Sequence, residues 1–365
     1  MKIALLTRGG FDNPKIWSGT PSTIFRKMEQ IENVQITTAD MELPRGFRGL
    51  YYHSLCSVFF FMYHTHDFLL RPIFGCILRH IFKKIGKQDY TLQINDYYIP
   101  DFLRKYGKHA IYIDAHRPDW WKELCKGDKR ILRDTYTKDF NHATKKSLLN
   151  ADLIFTQNEW TRQGMIRDFG INPDIIFNVR FGVNLQPLFE EKDYSKNMML
   201  IVLREGFEEP KGLNLLLKAF PLVRKQVKNV ELAVVGSSVG KGIEGVTNYV
   251  NQPREVTVKL FKECTLYVMP ALAEPNGITY LEALANKVPI VGLNRYALPE
   301  FTGNGEWGFL CENEEPKELA NVIVKALSDK IRLKGMGEKG QKFVIENYNW
   351  DMVIANMINL MKTNK

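Results

Sequence analysis

Glu274 and Glu282 are separated by seven residues that include Pro275-Asn276-Gly277. Carboxylates accept hydrogen bonds from hydroxyl groups, so a pair held at this spacing suits a ligand rich in hydroxyls, such as a sugar. Upstream, Leu266-Tyr267-Val268-Met269-Pro270 is a short apolar run closed by proline, the pattern of a buried parallel strand. Downstream, Leu281, Ala283, Leu284 and Ala285 favour helix. The stretch from Glu274 to Glu282 therefore joins a strand to a helix, with Asn276-Gly277 as the tight turn. Open α/β sheets bind ligands at such junctions, where the unpaired amides of the helix start can hold a phosphate. Taken singly, each glutamate also fits an ordinary solvated acid, and the helix dipole favours one in a first turn.

Two cations share this placement. Arg204 follows the apolar strand Met198–Val202, and Lys211-Gly212 precedes a helical pattern over Leu213–Val227. An arginine and a lysine on one sheet edge can neutralise a diphosphate and stabilise it as a leaving group, although a lone lysine is more often a solvated surface charge. His116 falls just past the strand Ala110–Asp114, where ligand-contacting residues collect, although a lone histidine is more often structural. Arg8-Gly9-Gly10 through Trp17-Ser18-Gly19-Thr20-Pro21 is a glycine-containing loop between a first strand, Lys2–Thr7, and a helix, Ser22–Glu29. It is not a Gly-x-Gly-x-x-Gly fingerprint, so a dinucleotide fold is not signalled.

Short strands and helices alternate on both sides of these residues. In the first half the pattern predicts strands at Tyr90–Asn95, Ala110–Asp114, Leu153–Thr156 and Ile175–Val179, with helices at Tyr98–Tyr106, Lys138–Leu149 and Thr161–Phe169. In the second it predicts strands at Met198–Val202, Val230–Val235 and Pro289–Gly292, and helices over Lys317–Leu327 and Ile331–Glu346. Such alternation specifies doubly wound parallel sheets, two of them for 365 residues, with a charged linker over Glu190–Asn197 and a ligand cleft between the domains. The five cysteines are scattered, without a Cys-x-x-Cys pair, which fits a reducing compartment rather than a disulfide framework or structural zinc. Arg8 interrupts the amino terminus too early for a signal peptide's apolar core, so a cytoplasmic protein is expected.

The net charge of +9 is uneven. Residues 1–185 hold 27 Lys and Arg against 19 Asp and Glu, and the rest 23 against 22, so an anionic partner or surface is expected for the first half. Residues 44–87 are crowded with aromatics and then turn helical, with Leu70, Ile73, Phe74, Ile77, Leu78, Ile81 and Ile85 on one face and His80, Lys83, Lys84 and Lys87 on another. This reads either as a basic amphipathic element on an anionic membrane, too interrupted to span it, or as a core-facing helix with a solvated basic back. His53, His64 and His66 form no recognisable metal-ligand set.

Taken in order, these features resemble the retaining GT-B glycosyltransferases of the Glu-x7-Glu group (glycosyltransferase family 4-like, group 1). The resemblance also runs through Ala151-Asp152-Leu153-Ile154, Phe181-Gly182-Val183-Asn184, Val234-Val235-Gly236, Val288-Pro289-Ile290-Val291-Gly292, Leu298-Pro299-Glu300 and Asn347-Tyr348-Asn349-Trp350. It implies an acceptor-binding Rossmann-like domain at residues 1–182, a nucleotide-sugar donor domain at 183–346, and a helix at 347–365 crossing back to the first. It further implies that Glu274 binds donor-sugar hydroxyls and Glu282 the ribose, while Arg204 and Lys211 hold the diphosphate with the amides of Gly277, Ile278 and Thr279. In the same pattern Asn276 belongs to the donor loop, and His116 contacts the donor sugar. Gly19 lies close to the phosphates or acceptor, and Asn251 and Pro253 pass near the base. No metal or other cofactor is implied, the nucleotide-diphosphate sugar being a substrate; consistently, the chain has no Asp-x-Asp pair. The expected acceptor is a lipid-linked or cell-envelope glycan. Ala271 and Asn276 depart from the common serine and aromatic, and residues 44–87 have no counterpart, so acceptor recognition is expected there.

Two other readings remain at this point. An epimerase-like enzyme of the same fold is one, disfavoured by Arg204 and Lys211 beside the glutamate pair. A basic nucleic-acid-associated protein is the other, disfavoured by dispersed basic residues and the lack of a recognition module.

Overall fold

A computed structural model describes residues 1–11, 16–41, 71–94, 99–116, 141–142 and 144–364. The chain divides into two compact units: Met1–Gln157 with Thr161–Arg180 and Trp350–Lys365, and Asn158–Trp160 with Phe181–Asn349. Each is built on a six-stranded parallel sheet.

The first unit contains β1 (Lys2–Thr7), α1 (Thr20–Glu29), β2 (Gln35–Asp40), α2 (Arg71–Ile85), β3 (Tyr90–Ile94), β4 (Lys108–Ile113), β5 (Leu153–Thr156), α3 (Glu159–Phe169) from Thr161 onward, and β6 (Ile176–Asn178). Its strands lie in the order β2-β1-β3-β4-β5-β6, so the winding reverses between β1 and β3. The central strands are continuous apolar runs, as a sheet covered on both faces requires, with Ile3–Leu6 and Ala110–Ile113 fully buried. The helix predicted over Tyr98–Tyr106 is a 3-10 turn, Asp101–Tyr106, opened by Pro100. In α2, Leu78 and Phe82 are fully buried in the core cluster, with Ile81 and Ile85 packed against it, while Arg79, His80, Lys83, Lys84 and the following Lys87 are exposed. The described part of the amphipathic stretch is thus a core-facing helix with a solvated basic back; residues 44–70 lie outside the described residues. Among the described residues no helix is long and apolar enough to cross a membrane.

The second unit runs β7 (Asn197–Val202), α4 (Leu213–Arg224), β8 (Val230–Val235), β9 (Val246–Tyr249), α5 (Arg254–Glu263), β10 (Leu266–Val268), α6 (Ile278–Ala285), β11 (Ile290–Leu293), β12 (Gly308–Cys311), α7 (Pro316–Ser328) and α8 (Lys330–Asn347). The order is β12-β11-β10-β7-β8-β9, which reverses between β7 and β10. The segment predicted as a charged linker is fastened down. Lys192 is buried and donates to the carbonyls of Phe261 (3.0 Å) and Lys262 (2.8 Å), at the end of α5 where a cation meets the helix dipole. The chain then returns to the first unit as α9 (Trp350–Thr363), which packs on α1, with Lys27 and Asp351 paired at 2.7 Å.

Candidate functional site: the carboxyl edge of the second sheet

The loops after β7 and β10 meet at the point where the winding reverses, the position at which doubly wound sheets bind ligands. They are tied together by backbone: the amides of Leu272 and Ala273 both donate to the Pro210 carbonyl, at 2.8 and 3.0 Å. Gly212 makes this approach possible. It is left-handed (φ 73°), and a Cβ there would fall 1.9 Å from the Pro270 carbonyl oxygen, so no other residue fits without the loops separating.

This junction sets the charges in place. Lys211 Nζ lies 2.8 Å from Glu274 Oε2, and both side chains are less than one-fifth exposed. Glu274 Oε1 accepts from the Gly277 amide at 2.9 Å. Burial alone would raise the Glu274 carboxyl; Lys211 and the amides of Gly277 and Asn276 outweigh it and hold the group below its ordinary range. Glu274 is therefore a fixed carboxylate with both oxygens engaged.

Gly277 is also left-handed (φ 63°) and caps α6. The amides of Ile278 and Thr279 open the helix and take no acceptor among the described residues, leaving two donors at the positive end of the dipole. Behind them, the Tyr267 hydroxyl donates to Thr279 Oγ1 at 2.7 Å and the Tyr280 hydroxyl to the Met269 carbonyl at 2.6 Å, which locks the helix start onto β10. At the other end, Gln341 Nε2 donates to the Ala285 carbonyl at 2.7 Å. Asn276 accepts from Asn158 Nδ2 through Oδ1 at 3.2 Å.

One turn into α6, Glu282 is 12% exposed and accepts from Arg254 Nη2 at 3.2 Å. Burial raises its carboxyl to about 6, against the pull of Arg254 and Lys211. Arg204 is exposed just past β7 and next to Gly236, whose left-handed backbone (φ 85°) lets it approach the Leu203 carbonyl. Asn251 (φ 52°) and Pro253 are exposed between β9 and α5, and Pro253 forms the N-cap of α5. Thus Lys211, Glu274, Asn276, Gly277, Ile278 and Thr279 form one cluster. Arg204, Glu282, Asn251 and Pro253 lie on the carboxyl side of the same sheet or on the helix that opens there.

Gly19 and His116 belong to the first unit. Gly19 is left-handed (φ 84°) and caps α1, with its carbonyl accepting from the Ser22 hydroxyl at 2.9 Å. His116 is fully buried, with Nε2 2.6 Å from Asp168 Oδ2, and its ring lies against Gly164, where a Cβ would come within 2.6 Å of it. The Asp168 carboxyl is held below its usual range, first by its hydrogen bond with Arg167 and then by His116. The Asp168 partner, 52 residues away, left no signature in the sequence. Arg254 was missed for a related reason, since neither β9 nor α5 was read from the sequence. Among the described residues no group of three His, Cys, Asp or Glu side chains is placed to hold a metal ion.

Residues 188–343 match the family model described as Glycosyl transferases group 1. The chain is 24% identical over 258 residues to an MMP alpha-(1->4)-mannosyltransferase of Mycolicibacterium hassiacum, a match covering 67% of this chain and 60% of that protein. The aligned part therefore spans about three-fifths of that relative's length. Among solved structures, WaaG, a glycosyltransferase involved in lipopolysaccharide biosynthesis, aligns over 98% of this chain and 99% of its own with TM-score 0.66 at 12% identity. Anabaena Alr3699/HepE in complex with UDP and glucose aligns over the whole of both chains with TM-score 0.67 at 13% identity. The match to the group 1 glycosyl transferases thus lies in the second half of the chain, and the fold of the whole is GT-B.

Proposed function

We propose that this protein transfers a sugar, with retention of anomeric configuration, from a nucleotide-diphosphate sugar to a hydroxyl of a cell-envelope or lipid-linked glycan. The observation that carries the reading is the Lys211–Glu274 pair beside the open amides of Ile278 and Thr279, at the reversal of the second sheet. Lys211, Arg204 and the start of α6 take the diphosphate, and their charge stabilises it as it departs. Glu274 accepts from donor-sugar hydroxyls and Glu282 from the ribose, while Asn251 and Pro253 line the base. His116, fully buried, paired with Asp168 and packed against Gly164, serves the packing of the first unit rather than the contact with a donor sugar expected of it.

Both oxygens of Glu274 are already committed to Lys211 and Gly277, so it serves to bind rather than attack the sugar. No covalent nucleophile is assigned, and the acceptor attacks on the face the diphosphate leaves. Because protein cations supply the positive charge, transfer proceeds without a metal. WaaG and HepE supply the context of envelope glycans and of UDP with a hexose, respectively. The basic face of α2 suggests work at the cytoplasmic face of an anionic membrane.

The test is solvolysis of a panel of UDP-, GDP- and ADP-sugars in buffer containing methanol, with the methyl glycoside identified by NMR. The expected product keeps the donor's anomeric configuration, forms equally fast in EDTA, and falls roughly 10²-fold for Lys211→Met. An inverted glycoside, or a rate abolished by EDTA, would contradict the mechanism.

A further inference from the structure

Arg254 is the first residue of α5 and lies at the carboxyl side of β9. Its Nη2 is 3.2 Å from Glu282 Oε1 and 3.3 Å from the Asn184 carbonyl, so two acceptors fix the guanidinium. The arginine is 58% exposed, but its partner carboxylate is only 12% exposed. An exposed ion pair is screened and worth little; one whose anion is sunk into the protein is screened much less. Among the described residues, Arg254 makes the one side-chain hydrogen bond to this carboxylate, and Oε2 remains available to a ligand hydroxyl.

We propose that Arg254 is a positioning residue for nucleotide recognition, holding Glu282 as an oriented carboxylate that accepts the vicinal ribose hydroxyls of a nucleoside diphosphate. The proposal rests on the donor-site reading above. Three groups face Glu282 from the elements around it: Arg254 from α5, Lys211 from the loop before α4, and the Tyr267 phenol from β10. Lys211 is engaged by Glu274 at 2.8 Å, and Tyr267 donates to Thr279. That leaves Arg254 as the cation in direct contact. A carboxyl raised to about 6 by burial is ionised at neutral pH with little margin, so loss of this contact is felt within the working range.

The test titrates Glu282 directly and nucleotide binding in parallel. Carbon-13 NMR of glutamate carboxyls, with the Glu282 signal assigned by its loss in Glu282→Gln, is followed from pH 4.5 to 8.5 in wild type, Arg254→Gln and Arg254→Lys. Calorimetric affinities for UDP, GDP and ADP are measured over the same range. The expected result is a midpoint that rises by roughly one unit in Arg254→Gln and returns in Arg254→Lys. Affinity for the cognate nucleotide then drops roughly threefold at pH 6.5 and recovers above pH 8. A purely structural role would lower affinity or stability equally at all pH values. An unmoved midpoint overturns the proposal whatever the nucleotides do. A midpoint that moves while affinity stays independent of pH overturns the role in recognition and leaves the donor site standing. Wild type that binds no nucleotide at any pH overturns the donor-site reading and this proposal with it.

Discussion

Lys211 and Glu274 are each ordinary residues whose meaning comes from partial burial against each other. Removing the lysine leaves a carboxylate with its charge uncompensated, so Lys211→Met is expected to cost about 2–3 kcal/mol in denaturant unfolding, below the range for a fully buried pair because both side chains keep some contact with solvent. Lys211→Met with Glu274→Gln should recover most of that stability, and neither variant should bind donor. Glu282 behaves oppositely. Its folded carboxyl is raised from 4.5 to about 6, so the folded state holds a proton that the unfolded state has lost. Its contribution is fully present below pH 4.5 and is lost as pH rises through 6. Glu282→Gln is therefore expected to match wild type near pH 4.5 and to be the more stable by up to about 2 kcal/mol at pH 8, measured by urea unfolding. The same variant should lose nucleotide binding. Glu274, Lys211, Arg204 and Glu282 could be singled out in the sequence because Arg204 and Glu274 follow apolar strands while Lys211 precedes, and Glu282 sits within, a clear helical run. Arg254 and Asp168 were not, because they matter only through partners that the chain brings in from elsewhere.

The elements holding these residues depend on close backbone approaches. A Cβ on Gly212 would meet the Pro270 carbonyl oxygen at 1.9 Å, and one on Gly236 would meet that of Leu203 at the same distance. Both glycines are also left-handed. Gly212→Ala is expected to cost roughly 2–4 kcal/mol and to abolish donor binding, because the β7 and β10 loops must part to admit the methyl group. Gly206→Ala, left-handed but with open space around it, controls for conformation alone and should cost about 1 kcal/mol. The buried strands at the centre of each sheet could be read from sequence to within a residue or two at each end. The strands that were missed, Gln35–Asp40, Val246–Tyr249 and Gly308–Cys311, all lie at sheet edges. An edge strand is covered on fewer sides and carries no long apolar run. Gln35–Asp40 holds one buried residue of six and Val246–Tyr249 none, and Gly308–Cys311 opens on a glycine. The helix Arg254–Glu263 escaped with its neighbouring edge strand.

Across the whole chain, the alternation of elements implied two doubly wound sheets, but not the strand orders that put the reversal at β7 and β10. The return of α9 to the first unit came from resemblance alone. The charge imbalance was legible as well, and four of its basic residues, Arg79, Lys83, Lys84 and Lys87, lie along the exposed back of α2 and just after it. Since Leu78 and Phe82 are committed to the core, any membrane attachment through that helix is electrostatic. Binding to vesicles containing phosphatidylserine is therefore expected to weaken about 10²-fold when Lys83, Lys84 and Lys87 are replaced by glutamate, and to vanish for wild type at high salt. Unchanged binding would remove the membrane role of this helix. The donor site itself is tested most directly by thermal unfolding with UDP-, GDP- and ADP-sugars, comparing wild type with Glu282→Ala. A ligand at a hundred times its Kd stabilises the native state by about 2.7 kcal/mol. One nucleotide class should raise the wild-type midpoint and leave Glu282→Ala unmoved. A panel that shifts neither protein, or shifts both alike, would contradict the assignment of this sheet edge as the donor site.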